Sequence, residues 1–282
     1  MKDTNEIAKQ IRKNIYRIAN ESRSGHMGGA FSMTDLISVL YFGDVLRYDA
    51  RNPEWEDRDF FVLSKGHASY ALYAALQLAG FFPEEKLWHV GKPGSSFGEH
   101  PKIHEIPGVE ASTGALGHGL SFSIGIAYAN KVDEKNSHVY TILGDGECQE
   151  GSIWEGALSA PTLELDNLTV IVDHNKLQAM DRLENIVRMQ PFAEKWSAFG
   201  WYVIEIDGHN HEEIRKAMLH REEKRPVLIV AHTIKGKGVS FMENTPIWHI
   251  RMPNEQELPI LMNDLGLVEE DFIHESKEGE EG

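Results

Sequence analysis

Two hard oxygen donors stand out in the stretch YTILGDGECQEGSIWEGALSAPTLELDNLTVIVDHNKLQAMDR, residues 140–182. Asp145 sits within Gly144-Asp145-Gly146, and Asn175 closes Asp173-His174-Asn175 thirty positions later. Each cluster follows an apolar run, residues 139–143 and 168–172. One carboxylate and one amide carbonyl suit Mg²⁺ or Ca²⁺ and not zinc. Mg²⁺ commonly takes few protein ligands and completes its shell with phosphate and water. Two such donors and a nearby backbone carbonyl therefore point to a metal that bridges to a diphosphate. Gly144 and Gly146 would let backbone approach that diphosphate, and a helix opening at Ser152 would add its dipole. The plainer alternative is a pair of Asx turns that merely end strands. The strand context and the matching downstream Asn weigh against it.

For those donors to meet, two strands must lie side by side and point the same way. From residue 138 onward the chain alternates. Strands are expected at 138–143, 168–172, 201–206 and 227–231, with helices at about 152–163, 190–199 and 211–221 between them. Such alternation predicts βαβ units on a parallel sheet flanked by helices, and ligands of these sheets bind beyond the carboxyl ends of the strands. Ser152 with Glu155 reads as a capping box, and Pro161 as the end or bend of that helix. Upstream, Ile7, Ile11, Ile15 and Ile18 share one face of a helix over 4–20. The glycines of NESRSGHMGGA break the pattern, and a second helix is expected from Ser32 with Asp35 as its capping partner. FFVL at 60–63 reads as a short strand, 69–79 as an Ala-rich helix and 121–130 as a helix of small residues. Residues 89–119 are rich in Gly, Pro and His without a clean period, and so long a loop in a compact domain is usually functional.

The 282 residues suffice to bury a core, and 41% hydrophobic with 26% charged residues is ordinary globular composition. A net charge of −16 with no basic stripe excludes a nucleic-acid binder. No apolar run approaches a membrane span or a signal-peptide core, and the single cysteine, Cys148, rules out an internal disulfide. A cytoplasmic protein is expected. Cys148 itself reads as a small packed residue. IKGKG at 234–238 does not satisfy the P-loop pattern, and GALGHG is not GxGxxG. The acidic run at 269–282 reads as a solvated tail, with residues 1–265 as the domain and 266–282 as the tail.

GDGECQEG…DHN resembles the thiamine-diphosphate motif, which opens on GDG and closes on Asn about thirty residues later. Six further segments resemble the transketolase family in that family's order: SGHMGGAFSMTDL at 24–36, VLSKGHAS at 62–69, GEHP at 98–101, PGVEASTGALGHGLS at 107–121, AHTIKGKGVSFMEN at 231–244 and WH at 248–249. The likeness runs over about residues 5–255. It implies the thiamine-diphosphate-binding α/β fold and transfer of a two-carbon ketol unit from a ketose to an aldose. It also implies thiamine diphosphate with Mg²⁺, Ca²⁺ or Mn²⁺ serving as substitutes for Mg²⁺. Carried over residue by residue, Asp145, Asn175 and the Leu177 carbonyl would hold the metal. Gly144 and Gly146 would lie at the diphosphate, and His67, Gly114 and Leu116 would line the cofactor. His249 would reach the diphosphate or the substrate channel, and His26 and His100 would contact sugar hydroxyls. Glu150 would join a carboxylate network between paired cofactors. Imidazoles titrate near the working pH, so clustered histidines suit repeated making and breaking of carbonyl and hydroxyl groups. His89, His104, His138, His209, His211, His220 and His274 have no such context and read as surface or packing residues. His118 and His174 lie inside motifs and read as supports.

A whole transketolase is roughly twice this length, and its missing half carries the pyrimidine-binding and C-terminal domains. The resemblance therefore implies the N-terminal subunit of a split enzyme, joined to a separate C-terminal subunit in an α₂β₂ assembly. Met27 stands where the family has Pro, Ile250 where Gly often follows WH, and DHNKLQAMDR departs from the usual wording. These departures leave room for an unusual sugar. Two alternatives stay open: another thiamine-diphosphate enzyme, such as a deoxyxylulose-phosphate synthase or 2-oxoacid decarboxylase component, and a non-catalytic regulatory subunit.

Overall fold

The computed structural model describes residues 3–272. Five strands form one sheet: β1 (Phe60–Leu63), β2 (Val139–Gly144), β3 (Leu168–His174), β4 (Tyr202–Asp207) and β5 (Val227–His232). Their order is β1-β2-β3-β5-β4, and every neighbouring pair is parallel. All five carboxyl ends thus open on one edge. The register pairs Gly144 with Asp173 and His174 with His232, so β2, β3 and β5 end almost level.

The helices are α1 (Thr4–Ser22), α2 (Met27–Ser32), α3 (Thr34–Phe42), α4 (Ser69–Ala79), α5 (His118–Val132), α6 (Gly151–Thr162), α7 (Leu183–Ile186), α8 (Phe192–Ala198), α9 (His211–Met218) and α10 (Leu258–Leu265). They cover both faces of the sheet. Tyr140, Ile142, Ile171, Val227 and Ile229 join a core with α1, α3, α4 and α9. Val139, Leu143, Val170, Val172, Leu228 and Val230 join a second core with α5, α6 and α8. Successive strand side chains point to opposite faces, so a strand covered on both sides is apolar along nearly its whole length, with Thr141 and Thr169 as buried exceptions. That is why the strand runs in the sequence are continuous. On α1, Ile11, Ile15 and Ile18 are fully buried, each contributing roughly 1.5–3 kcal/mol. Asp3 caps that helix by accepting from the Asn5 and Glu6 amides.

Both expected capping boxes are corrected. A short helix already occupies Met27–Ser32, α3 begins at Thr34, and neither Ser32 nor Asp35 caps it. Ser32 instead donates to Asp173, and Asp35 binds Arg12. Helix α6 has Glu150 at its N-cap without a side-chain bond, and Ser152 donates to the Gly117 carbonyl. In both cases a buried tertiary acceptor outcompetes the local amide. Pro161 does lie in the last turn of α6. Within the segment 266–282, Leu267 is buried and Phe272 sets its ring edge-on to Tyr16 at 6.0 Å. The rest of the acidic run, 273–282, lies outside the described residues.

Candidate active site at the carboxyl edge of the sheet

Asp145 follows β2 and Asn175 follows β3, and because those strands are adjacent the two side chains line one cavity of about 250 Å³. Each is oriented by backbone. The Asp145 carboxylate accepts from the Gly146 amide at 2.8 Å and the Lys176 amide at 2.5 Å. Asn175 Oδ1 accepts from the Leu177 amide at 3.0 Å, and Leu177 lines the same space. His174 stacks on Phe192 and brings Nδ1 to 3.3 Å from Asp145. Asn175 thus makes an Asx turn, whereas Asp145 bonds the adjacent amide and the remote amide of Lys176, and both residues line the cavity. Among the described residues no group of three His, Cys, Asp or Glu could hold a metal. A metal in this cavity would rest on mixed oxygen donors, and one carboxylate, one amide oxygen and one carbonyl fit a hard divalent cation.

Gly144, Gly146, Leu116, Glu150, His67 and His249 line the same cavity. His26 and His100 adjoin it through ring contacts. The His26 centroid lies 5.4 Å from His67, 5.1 Å from His249 and 6.5 Å from His100. Gly114 sits beneath this cluster at φ +147°, and a Cβ there would lie 3.0 Å from His100 Cδ2. Only glycine holds that backbone without strain. Four imidazoles from four separate segments thus gather over the oxygen donors. Burial lowers the pKa of His26, as it does for His67, where Lys65 adds repulsion. Burial and the neighbouring Lys235 push His249 down to about 3. At neutral pH these three rings are uncharged.

The cavity holds residues that motif spacing alone did not single out. Lys235 is 1% exposed, and its Nζ meets the carbonyls of Gln178 at 3.0 Å and Leu177 at 3.4 Å and His249 Nδ1 at 3.2 Å. Burial and repulsion from Lys65 lower it to about 8, against the opposing pull of Asp145 and Asp173. A buried cation facing neutral acceptors is costly. An anionic group in the cavity would offset that cost, so the lining fits a diphosphate. Lys65 pairs with Asp173 at 2.5 Å and donates to the Gly29 carbonyl at 2.9 Å. Glu147 accepts from Ser64, from the Gly117 amide at 2.9 Å and from the Gly144 amide at 3.0 Å, tying three segments of the rim together. Its burial raises the carboxyl pKa against those donors. Lys65 and Lys235 lie inside SKGH and IKGKG, so charged residues just past strand ends were the signal that could have found them.

Other expectations resolve simply. Cys148 is fully buried, burial pushes its thiol well up, and Sγ donates to the Gly144 carbonyl at 3.3 Å. His118 is exposed, while His138 is buried against Thr169 at 2.9 Å. No described helix is long and apolar enough to cross a membrane.

Comparison with known proteins matches residues 3–277 to the family described as transketolase, thiamine diphosphate binding domain. A relative from Phocaeicola vulgatus, named as one subunit of an apulose-4-phosphate transketolase, is 40% identical, covering 87% of this chain and 88% of that protein. The 6-deoxy-6-sulfo-D-fructose transketolase subunit SqwG of Clostridium sp. is 42% identical, covering 86% and 88%. Among solved structures, transketolase from Campylobacter jejuni superposes with a TM-score of 0.87 at 30% identity, over 95% of this chain and 43% of that one. Transketolase from Leishmania mexicana superposes with a TM-score of 0.88 at 29% identity, over 96% and 43%. This chain spans less than half of those single-chain enzymes. It belongs to the transketolase family and corresponds to the N-terminal, thiamine-diphosphate-binding domain of those enzymes.

Proposed function

We propose that this chain is the diphosphate-binding subunit of a two-chain transketolase that moves a two-carbon ketol unit between sugars. The observation that carries this is length: the chain covers 88% of relatives named as transketolase subunits, yet 43% of single-chain transketolases. The remaining domains would come from a separate C-terminal subunit in an α₂β₂ assembly, in the cytoplasm. Thiamine diphosphate, when bound, supplies the carrier for the transferred unit, and the protein orients it and moves protons. Asp145, Asn175 and the Leu177 carbonyl would hold Mg²⁺, with Ca²⁺ or Mn²⁺ as substitutes. Gly144, Gly146 and Glu150 would border the diphosphate and its neighbour across the subunit contact. His67, Gly114 and Leu116 would line the rest of the cofactor.

The four imidazoles would handle protons on the sugar. His249 Nδ1 faces the Lys235 ammonium at 3.2 Å and accepts from it, so the ring proton resides on Nε2. His249 is thereby poised as a donor toward a carbonyl or hydroxyl oxygen. Burial keeps His26 and His67 neutral, and a neutral imidazole can take a hydroxyl proton. The sugars named for the relatives are the first to screen, together with common ketose phosphates.

Native mass spectrometry of the chain purified from its own source tests the assembly. The expected species contains a second chain and the added mass of thiamine diphosphate with a divalent metal. That complex should transfer ketol units, whereas the lone chain should not. Asp145→Ala should abolish cofactor binding by calorimetry in the reconstituted complex. Robust transfer by the single chain, or pyruvate-dependent release of CO₂ by the complex, would refute the proposal.

A further inference from the structure

His209 lies in the turn after β4, where its own amide donates to Asp207 at 2.9 Å. Its ring joins two segments. Nε2 accepts the Ile234 amide at 2.9 Å. An N–H can donate only to a bare nitrogen, so the ring proton sits on Nδ1. Nδ1 faces Asp35 Oδ2 at 2.6 Å. That carboxylate is itself clamped. Arg12 reaches both oxygens at 3.1 and 2.6 Å, and His211 Nε2 lies 3.1 Å from Oδ1 with its Nδ1 on Thr4 at 2.7 Å. The tautomer and place of His209 are thus set from α1, α3 and α9.

Ile234 immediately precedes Lys235. The backbone around Lys235 is held by the Gly236 amide on the Gly28 carbonyl at 3.0 Å and by the Asn244 amide on the Lys235 carbonyl at 3.0 Å. Thr233 anchors the upstream side through its hydroxyl on Asp173. His209 supplies a side-chain acceptor for the amide between these anchors. Lys235 in turn carries His249, whose Nδ1 it meets at 3.2 Å. We propose that His209 is a positioning residue: by holding the Ile234 amide it sets the place of Lys235 and, through Lys235, the proton-bearing nitrogen of His249. The consequence for catalysis rests on the transketolase reading, whereas the positioning itself does not.

Two variants separate this role from simple packing. In His209→Asn the side-chain amide can still donate to Asp35, but nothing reaches the Ile234 amide. In His209→Gln the side-chain oxygen extends to the place of Nε2 and can accept from Ile234. Each full chain is compared with wild type for hydrogen exchange at the Ile234 amide and for isotope-coded acetylation of Lys235, read by peptide mass spectrometry. Loss of one hydrogen bond is expected to speed both about five- to tenfold in the Asn chain. The Gln chain is expected to stay within about twofold of wild type on the same scale. Calorimetry with thiamine diphosphate and Mg²⁺ on the two-chain complex should show affinity falling about tenfold for Asn and recovering for Gln. A folded Asn chain with wild-type exchange and labelling overturns the proposal, as does a Gln chain as labile as Asn. Should the Asn chain fail to fold, the Gln chain decides, with protected Lys235 supporting the role and exposed Lys235 overturning it. A wild-type complex without ketol transfer would instead sink the functional reading and leave the exchange and labelling result standing.

Discussion

Asp173 and Lys65 form an ion pair that is nearly removed from water, at 0% and 2% exposure, beneath the candidate active site. Their environments are unequal, and that asymmetry has a measurable consequence. Asp173 also accepts from Ser32 at 2.5 Å, from Thr233, and from Asn175 at 3.4 Å. Burial pushes its carboxyl up, and Lys65 with these donors outweighs burial and holds it below the usual range. Lys65 has one further acceptor in the Gly29 carbonyl at 2.9 Å. Asp173→Asn therefore strands a buried ammonium and should cost about 3–5 kcal/mol. At roughly 2–4 °C per kcal/mol for a chain of this size, the midpoint should fall by roughly 6–20 °C. Lys65→Met leaves a carboxylate that keeps its other donors and can take up a proton, so its cost should be nearer about 1–3 kcal/mol. Lys65→Met with Asp173→Leu removes both charges and should be less destabilised than the sum of Lys65→Met and Asp173→Leu alone, by about 2 kcal/mol or more. Urea and thermal unfolding of the cofactor-free chain, each followed by far-ultraviolet circular dichroism, read the free-energy costs and the midpoint shift. An Asp173→Asn cost below about 1 kcal/mol, or strictly additive costs, would refute the argument that the pair is interdependent.

Gly114→Ala forces a side chain onto φ +147° and to 3.0 Å from His100. A cost of about 1–3 kcal/mol is expected by thermal unfolding, with displacement of the His100 ring seen by NMR. Glu147→Gln replaces an acceptor-only carboxylate by an amide facing the Gly117 and Gly144 amides, and should cost about 1–3 kcal/mol by the same unfolding assay. Burial pushes the Asp35 carboxyl up, but His209, His211 and Arg12 outweigh it and hold the group well below the usual range. A depressed carboxyl contributes stability that is present above its unfolded pKa of about 4 and lost as pH falls toward its folded value. Stability measured between pH 5 and 2 should therefore decline steeply in wild type, and Asp35→Asn should be less stable at pH 7 with a shallower acid slope.

Much of the fold was legible because sheets covered on both faces demand continuous apolar strands, and those runs are plain in the sequence. The four clearest strands were each expected within one or two residues of their observed bounds. The capping boxes at Ser32 and Ser152 failed for a single reason. A hydroxyl chooses its partner among all acceptors within reach, and buried Asp173 and the Gly117 carbonyl are brought near only by the folded chain. His209 and His211 looked like surface or packing residues because nothing local marks them. Asp35 lies 174 and 176 positions away, and only the approach of α3 to the β4 turn and α9 joins them.

The sequence by itself determined the alternation of strands and helices, the oxygen-donor clusters at Asp145 and Asn175, and the family resemblance carried by the histidine-bearing segments. These are local patterns, set by side-chain type and spacing. Only the tertiary structure decided that β2 and β3 are neighbours, that His26, His67, His100 and His249 form one cluster, and that Lys65 and Lys235 are buried beside them. Burial and distance between remote segments depend on how the sheet is ordered and covered. Those two quantities convert a list of polar residues into a site, because they set which charges lack water and which groups can exchange a proton.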